Sequence, residues 1–151
     1  IDIVNEREVC GEPVADVVAR SSPLRGVDVG GALIPRAIDE LPVVAVAACF
    51  AEGITVIEDA GELRVKETDR ISAMTSELRR LGADVVETDD GMIIRGGKPL
   101  RGAYCSSWGD HRVAMAVAVA ATAADGETTI ENASVVSISF PGFFRKLSEL
   151  R

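Results

Sequence analysis

The chain has 151 residues, of which 47% are hydrophobic and only 4% aromatic, and it carries a formal net charge of −8 at pH 7. That is about one domain's length, with enough Ala, Val, Ile and Leu for an aliphatic core. The negative balance excludes the broad basic surface that nucleic acids or anionic membranes require, though not a small local cluster of cations.

The apolar runs around 41–51 and 113–124 are too short to span a bilayer, and the opening residues do not read as a signal peptide, so none is expected. The three cysteines, Cys10, Cys49 and Cys105, are widely spaced. They read as free thiols of a reducing compartment and not as a disulfide framework. They lack metal-ligand spacing, and one histidine accompanies them. The expectation is a cytoplasmic protein with no metal and no nucleic-acid or membrane partner.

In chain order, DIVNE, a turn around Gly11-Glu12 and PVADVVAR predict a β-hairpin. PLRG follows at 23–26. PRAIDELPVV (35–44) then places Asp39-Glu40 just before Leu41-Pro42, where an N-capping aspartate is the simple account. Residues 40–52, rich in alanine and valine, predict a buried helix ended by Gly53. ITVIED (54–59) alternates and is β-branched, a strand. Residues 66–81 predict an amphipathic helix closed by Gly82; ADVVETD (83–89) is a strand, Asp90-Gly91 a hairpin turn and MIIRG (92–96) the partner strand. A second PLRG (99–102) leads to a helix near 110–124, and FPGFFRKLSEL closes the chain as another helix.

Two helix starts carry charge where a core begins. RVKETDR (64–70) holds five charged side chains in seven residues. On a helical projection with Lys66 at zero, Glu67 falls at about 100° and Arg70 at about 40°, while Ile71, Met74, Leu78 and Leu81 span about 60–140°. Glu67 thus projects along the apolar stripe, with Lys66 and Arg70 beside it. Spacing alone leaves two accounts open: a solvated first turn with Glu67 serving the helix dipole, or two cations and a carboxylate converging on a bound anion. In SWGDHRVAM (107–115), Asp110 is a plausible N-cap with His111 and Arg112 in the first turn. A cation there opposes the dipole, and an anionic ligand would remove the conflict. A packing histidine and an Arg112–Asp110 surface pair are the plainer alternatives.

The sequence also repeats. Residues 44–60, VAVAACFAEGITVIEDA, match 117–133, VAVAATAADGETTIENA, at eleven of seventeen positions with an offset of 73, and the two PLRG stretches match at an offset of 76. The unit reads helix–strand–helix–strand–strand. The chain opens on the final hairpin of one such unit, at Ile1 with no methionine, and stops after the second helix of another. It is therefore expected to be a piece of a longer protein, with sheet edges that another segment covers. The offset of 73 lays Asp39 over Arg112, a carboxylate and a guanidinium at equivalent helix starts.

ELRVKETDRISAM followed by LRRLGADV, then GDHRVAMAVAVAA and SFPGFF, together with GGALIPRAIDELPVVAVAACFAEG, resemble the C-terminal part of the 5-enolpyruvylshikimate-3-phosphate synthases from end to end. The resemblance implies an α/β fold of repeated βαβαββ units, the inverse α/β-barrel-like fold of the enolpyruvyl transferases. Residues 1–151 would form the C-terminal portion of one domain, with the N-terminal domain absent. It implies transfer of the enolpyruvyl group of phosphoenolpyruvate to the 5-hydroxyl of shikimate 3-phosphate with release of phosphate, a step towards chorismate and the aromatic amino acids, needing no cofactor.

By the same resemblance Asp39 takes the proton of the attacking hydroxyl and holds the sugar. Lys66 sits at that hydroxyl as a further proton-transfer group. Glu67 protonates the methylene carbon of phosphoenolpyruvate, and Arg70 and Arg112 hold phosphoenolpyruvate. Such chemistry wants a carboxylic acid in a dry site and fixed cations for the departing phosphate. At two places the chain departs from the family pattern. Ser137-Ile138-Ser139 stands where some members carry a lysine, and Glu62 where some carry asparagine near the sugar phosphate, so no role transfers to either. The related transferase acting on UDP-N-acetylglucosamine and a non-catalytic repeat scaffold are the competing readings. The fragment alone is expected to be inactive.

Overall fold

A computed structural model describes residues 1–150. It opens on the expected hairpin, β1 (Asp2–Val9) against β2 (Glu12–Val18), antiparallel. The turn is Cys10-Gly11, with φ of 52° and 82°. Two successive left-handed residues give a tight turn whose twist matches that of the strands. Side chains on both strands are largely exposed, and the hairpin forms a two-stranded sheet of its own.

The middle of the chain is one complete unit: β3 (Asp28–Val29), a single helical turn α1 (Ile34–Ala37), α2 (Leu41–Cys49), β4 (Ile54–Ile57), α3 (Arg70–Arg80), β5 (Asp84–Glu87) and β6 (Met92–Arg95). Its sheet has the order β3-β4-β6-β5, with β3 and β4 parallel and the other pairs antiparallel. A second unit follows as far as its second helix: β7 (Tyr104–Ser106), α4 (His111–Ala121), β8 (Thr129–Glu131) parallel to β7, and α5 (Phe143–Glu149). This is the βαβαββ architecture the resemblance implied; the repeat alone read as helix–strand–helix–strand–strand, without the short leading strands β3 and β7. Most elements after the hairpin are shorter than the sequence pattern suggested, while β1 runs past DIVNE to Val9. In particular, the first long helix stops at Cys49, and Gly53, with φ of 96°, shapes the turn into β4 instead of capping the helix.

The repeat is repeated in backbone detail. Gly26 N–H donates to Glu52 O (2.8 Å) and Gly102 N–H to Asp125 O (2.7 Å), in bridges that pair Arg25 with Glu52 and Arg101 with Asp125. A Cβ on either glycine would lie 2.1 Å from a carbonyl oxygen, that of Ile54 or of Glu127. The glycine of PLRG is there because another backbone passes against it.

The core lies between the sheets and three helices. α2 and α4 pack on each other, and both bury small side chains, Ala45 and Ala48 on one and Ala116 and Ala120 on the other. The packing brings the helix starts together, where Arg112 bonds Asp39 and Glu40. α3 buries Ile71, Met74 and Leu78 on the face that adjoins them. No helix among the described residues is long and apolar enough to cross a membrane.

Candidate active site

The N-terminal ends of α2, α3 and α4 meet, and Arg70, the first residue of α3, stands at the junction. Its side chain is 1% exposed. Nε donates to Asp110 Oδ2 (2.7 Å), Nη1 to Asp39 Oδ1 (2.9 Å) and Nη2 to Glu67 Oε2 (2.6 Å). Three carboxylates from three separate segments thus bind one guanidinium. Burial works against the charge on Arg70, but Asp110 and Asp39 outweigh it and hold its pKa above the ordinary arginine value. Each Nη keeps one N–H beyond these bonds, so the fork retains donors for a further acceptor.

Asp110 is fully buried and serves two elements at once. Oδ1 accepts from the backbone N–H of Arg112 and Val113, capping α4 as expected, while Oδ2 takes the Arg70 bond. The surface pair between Arg112 and Asp110 does not form. Arg112 reaches across to the start of α2, with Nη1 donating to Asp39 O and Glu40 Oε1 (3.1 Å each) and Nη2 to Asp39 Oδ2 (3.4 Å). Asp39 likewise does not cap α2. Glu40 holds the N-cap position without a side-chain bond, and Pro42 in the first turn removes one donor that a cap would serve. The Asp39 carboxyl is held below the usual carboxylate range by the Arg70 hydrogen bond, against partial burial, with further help from Arg112 and Lys66.

The segment carrying Lys66 and Glu67 corrects the sequence reading. The helix spans Arg70–Arg80 and not 66–81. Gly61–Val65 forms a 3-10 turn, Lys66 is extended, and Asp69 is the N-cap, with its carboxylate accepting Ser72 N–H (3.0 Å). The projection that placed Glu67 on the apolar stripe therefore does not apply, and Glu67 reaches the cluster by hydrogen-bonding back to Arg70. Lys66 Nζ donates to Glu62 Oε1, so Glu62 neutralises a neighbouring cation. The dry surroundings expected for Glu67 are not supplied by these residues: its side chain is 49% exposed.

The result is a buried floor, Arg70 with Asp110, below a partly open rim of Asp39, Glu67, Arg112 and Lys66. Direct bonds gather Asp39, Glu67, Arg70, Asp110 and Arg112, whereas Lys66 bonds only Glu62 and acts on Asp39 through its charge alone. His111 is the first residue of α4 and half-buried. Ser137 and Ile138 lie in a 3-10 turn, Ala133–Ile138, ended by Ser139, where the Ser137 hydroxyl donates to Ser134 O. Two participants escaped the sequence reading. Glu40 binds Arg112, and its signal was its adjacency to Asp39. Arg64 braces the segment below Lys66, and its partners at 87–89 leave no local signal.

A cavity of about 190 Å³ opens beside the rim between α2 and α4, lined by Asp39, Glu40, Pro42, Arg112, Met115 and Phe143 among others. Enclosed ligand sites run to about 300–1,000 Å³, so this is a recess in an open face. A larger hollow of about 500 Å³ follows the β1–β2 hairpin and contains none of these residues.

A sequence model of EPSP synthase (3-phosphoshikimate 1-carboxyvinyltransferase) matches residues 3–147. The chain belongs to the EPSP synthase family. It is 56% identical over its full length to a 3-phosphoshikimate 1-carboxyvinyltransferase of Desulforudis audaxviator, covering 35% of that protein. It is also 56% identical over 146 residues (97% of the chain) to the enzyme of that name from Synechocystis, covering 33% of it. An EPSP synthase structure from Acinetobacter baumannii superposes with a TM-score of 0.93 at 40% identity, over 98% of this chain and 35% of that one. The enolpyruvyl transferase NikO of Streptomyces tendae shares the fold, with a TM-score of 0.65 at 23% identity over 97% of this chain and 33% of its own. The fold is that of the enolpyruvyl transferases, and the chain spans about a third of the length of the relatives it matches.

Proposed function

We propose that the chain is a C-terminal portion of an enzyme that transfers the enolpyruvyl group of phosphoenolpyruvate to the 5-hydroxyl of shikimate 3-phosphate and releases phosphate. The observation that carries this reading is the convergence of Asp39, Glu67 and Arg112 around the buried Arg70. Asp39 stays ionised and partly exposed, so it can accept the hydrogen bond and then the proton of the attacking hydroxyl. Glu67 is the candidate proton donor to the methylene carbon. Protonation there makes the adjacent carbon electrophilic, the hydroxyl oxygen bonds to it, and the phosphate leaves as the double bond re-forms with loss of a methyl proton. Arg112 and the spare N–H groups of Arg70 bind the anionic groups of phosphoenolpyruvate. Lys66, whose charge helps to lower the Asp39 pKa, is the further candidate for proton transfer at the hydroxyl.

Within the cluster Lys66, Arg70 and Arg112 face Asp39, Glu40, Glu62, Glu67 and Asp110, three cations against five carboxylates. Two polyanionic substrates need more positive charge than that. On this reading it comes from the absent N-terminal domain, which also closes the rim and excludes water. A cytoplasmic location accords with this chemistry and with Cys49 and Cys105 as buried free thiols.

The test is steady-state phosphate release by the full-length protein with phosphoenolpyruvate and either shikimate 3-phosphate or UDP-N-acetylglucosamine. Turnover with shikimate 3-phosphate alone is expected, and none from the isolated 151 residues. Turnover with the UDP-sugar alone, or with neither acceptor, would overturn the assignment.

A further inference from the structure

Lys66 and Glu67 lie on a stretch with almost nothing apolar to hold it. Leu63 before it and Arg70 after it are buried, but Val65 is 81% exposed and residues 66–69 are neither helix nor strand. Its anchor is Arg64. Nε donates to Asp89 O (2.7 Å), Nη1 to Asp69 Oδ2 (2.7 Å), and Nη2 to Glu87 Oε1 (2.9 Å) and Thr88 O (2.7 Å). The network closes on itself, because Ser72 Oγ donates to Glu87 Oε1 (2.8 Å) while Ser72 N–H donates to Asp69 Oδ1. Arg64 therefore pins the stretch to the end of β5 on one side and to the cap of α3 on the other. The bond from Arg64 to Asp69 brackets residues 65–68 between fixed points. Arg64 makes no bond to Asp39, Arg70, Asp110 or Arg112.

We infer that Arg64 is a positioning residue for the transfer reaction: its fork fixes the backbone that presents Lys66 and Glu67 to the rim. The inference rests on the proposed function. Lysine cannot replace it, since one ammonium cannot satisfy two carboxylates and two carbonyls spread around a planar fork.

The experiment uses the full-length protein with Arg64→Ala, Arg64→Lys and Glu87→Gln, the last keeping the Arg64 bonds to Asp69 and to the backbone. Steady-state rates are read beside amide hydrogen exchange at residues 65–69 and, as reference, in β6. Displacing a reacting group by an ångström costs on the order of a hundredfold. The expected result is thus a kcat about ten- to a hundredfold lower in both Arg64 variants, KM within about threefold, and a smaller loss in Glu87→Gln. Exchange should accelerate at 65–69 and stay unchanged in β6. A folded Arg64→Ala or Arg64→Lys protein with kcat within twofold of wild type would overturn the inference, as would faster exchange spread evenly over the β4–β6 sheet. If Arg64→Ala does not fold, Glu87→Gln decides on the same two readouts. If the wild-type protein turns over neither acceptor, the proposed function fails, and local exchange alone then decides whether Arg64 holds the segment.

Discussion

Arg70 Nε donates to Asp110 Oδ2 at 2.7 Å with the two side chains 1% and 0% exposed, a closed ion pair that joins the first turn of α3 to the cap of α4. The pair is isolated from water, so removing either member strands the other. Breaking such a pair costs about 3–5 kcal/mol, which for a chain of this length lowers the thermal midpoint by roughly 10 °C or more. Arg70→Met is expected to fall in that range by circular dichroism melting. Asp110→Asn should lose less than Asp110→Ala, because asparagine still accepts from the N–H groups of Arg112 and Val113, and a lost cap adds about 1 kcal/mol. Equal losses in the two Asp110 variants would show that the cap contributes nothing.

Glu67 behaves differently because it sits on the open rim. Glu67→Gln keeps an acceptor for Arg70 Nη2 and should leave the melting temperature nearly unchanged. In the full-length protein it should lower kcat by about 10²–10⁴, the range associated with losing a general acid. Activity within twofold of wild type would remove Glu67 from the proton-transfer scheme and favour the non-catalytic scaffold.

Asp69 gives the protein an acid-sensitive element. Burial raises its pKa, but the Ser72 N–H and the Arg64 guanidinium more than offset this and leave it below the ordinary value. In the unfolded chain the carboxyl titrates near 3.9. Between the two values the unfolded state binds more protons, so stability rises with pH through that window and is lost as pH falls through the folded pKa. Asp69→Asn keeps the cap acceptor and removes the charge. Its urea midpoint should lie below wild type at pH 7, and the two should converge as the pH is lowered from about 5 towards 2. A gap independent of pH would mean that the charge is not what holds the segment.

How much of this arrangement the amino-acid sequence displays depends on how local its cause is. The β1–β2 hairpin, the alanine-rich helices and the Asp110 cap follow from neighbours within a few positions. The meeting of Asp39 with Arg112 was also legible, because the repeat lays the two residues on equivalent helix starts. The start of α3 was not. Periodicity carries a helix back to Lys66, but the Asp69 cap and the Arg64 brace stop it at Arg70, and the brace's partners other than Asp69 lie 23–25 residues away. An arginine at a helix start reads as surface, and the partners that bury Arg70 are 31 and 40 residues distant. Nothing in the heptapeptide around it records them.

The PLRG glycines offer a steric test of the repeat. Gly102 has ordinary backbone angles, so alanine there meets no conformational strain, only Glu127 O at 2.1 Å from the new Cβ. Gly102→Ala should therefore destabilise by about 1–3 kcal/mol or more, and Gly26→Ala by a comparable amount at Ile54 O. Alanine at Gly97, where nothing lies within 4 Å, meets only the strain of φ 86° and serves as the control for steric contact. A Gly102→Ala protein as stable as wild type would mean that the two strands can part there without loss.

The three thiols should separate cleanly by reactivity. Cys10 is exposed at the hairpin turn, whereas Cys49 and Cys105 are buried. Burial pushes the Cys49 thiol up to about 11, and its Sγ–H donates to Ala45 O. Burial and the neighbouring Glu77 carboxylate push Cys105 up to about 12. Only the thiolate attacks a disulfide reagent, and at pH 8 a pKa of about 11 leaves roughly one thiolate in a thousand. Exclusion from solvent slows attack on Cys49 and Cys105 further. Titration of the native chain with an aromatic disulfide at pH 8 should thus release one equivalent rapidly, and the other two only when denaturant is added. Fast release of a second equivalent without denaturant would mean that α2 or β7 opens readily, and if the thiol is Cys49 the packing of α2 on α4 that aligns Asp39 with Arg112 is transient.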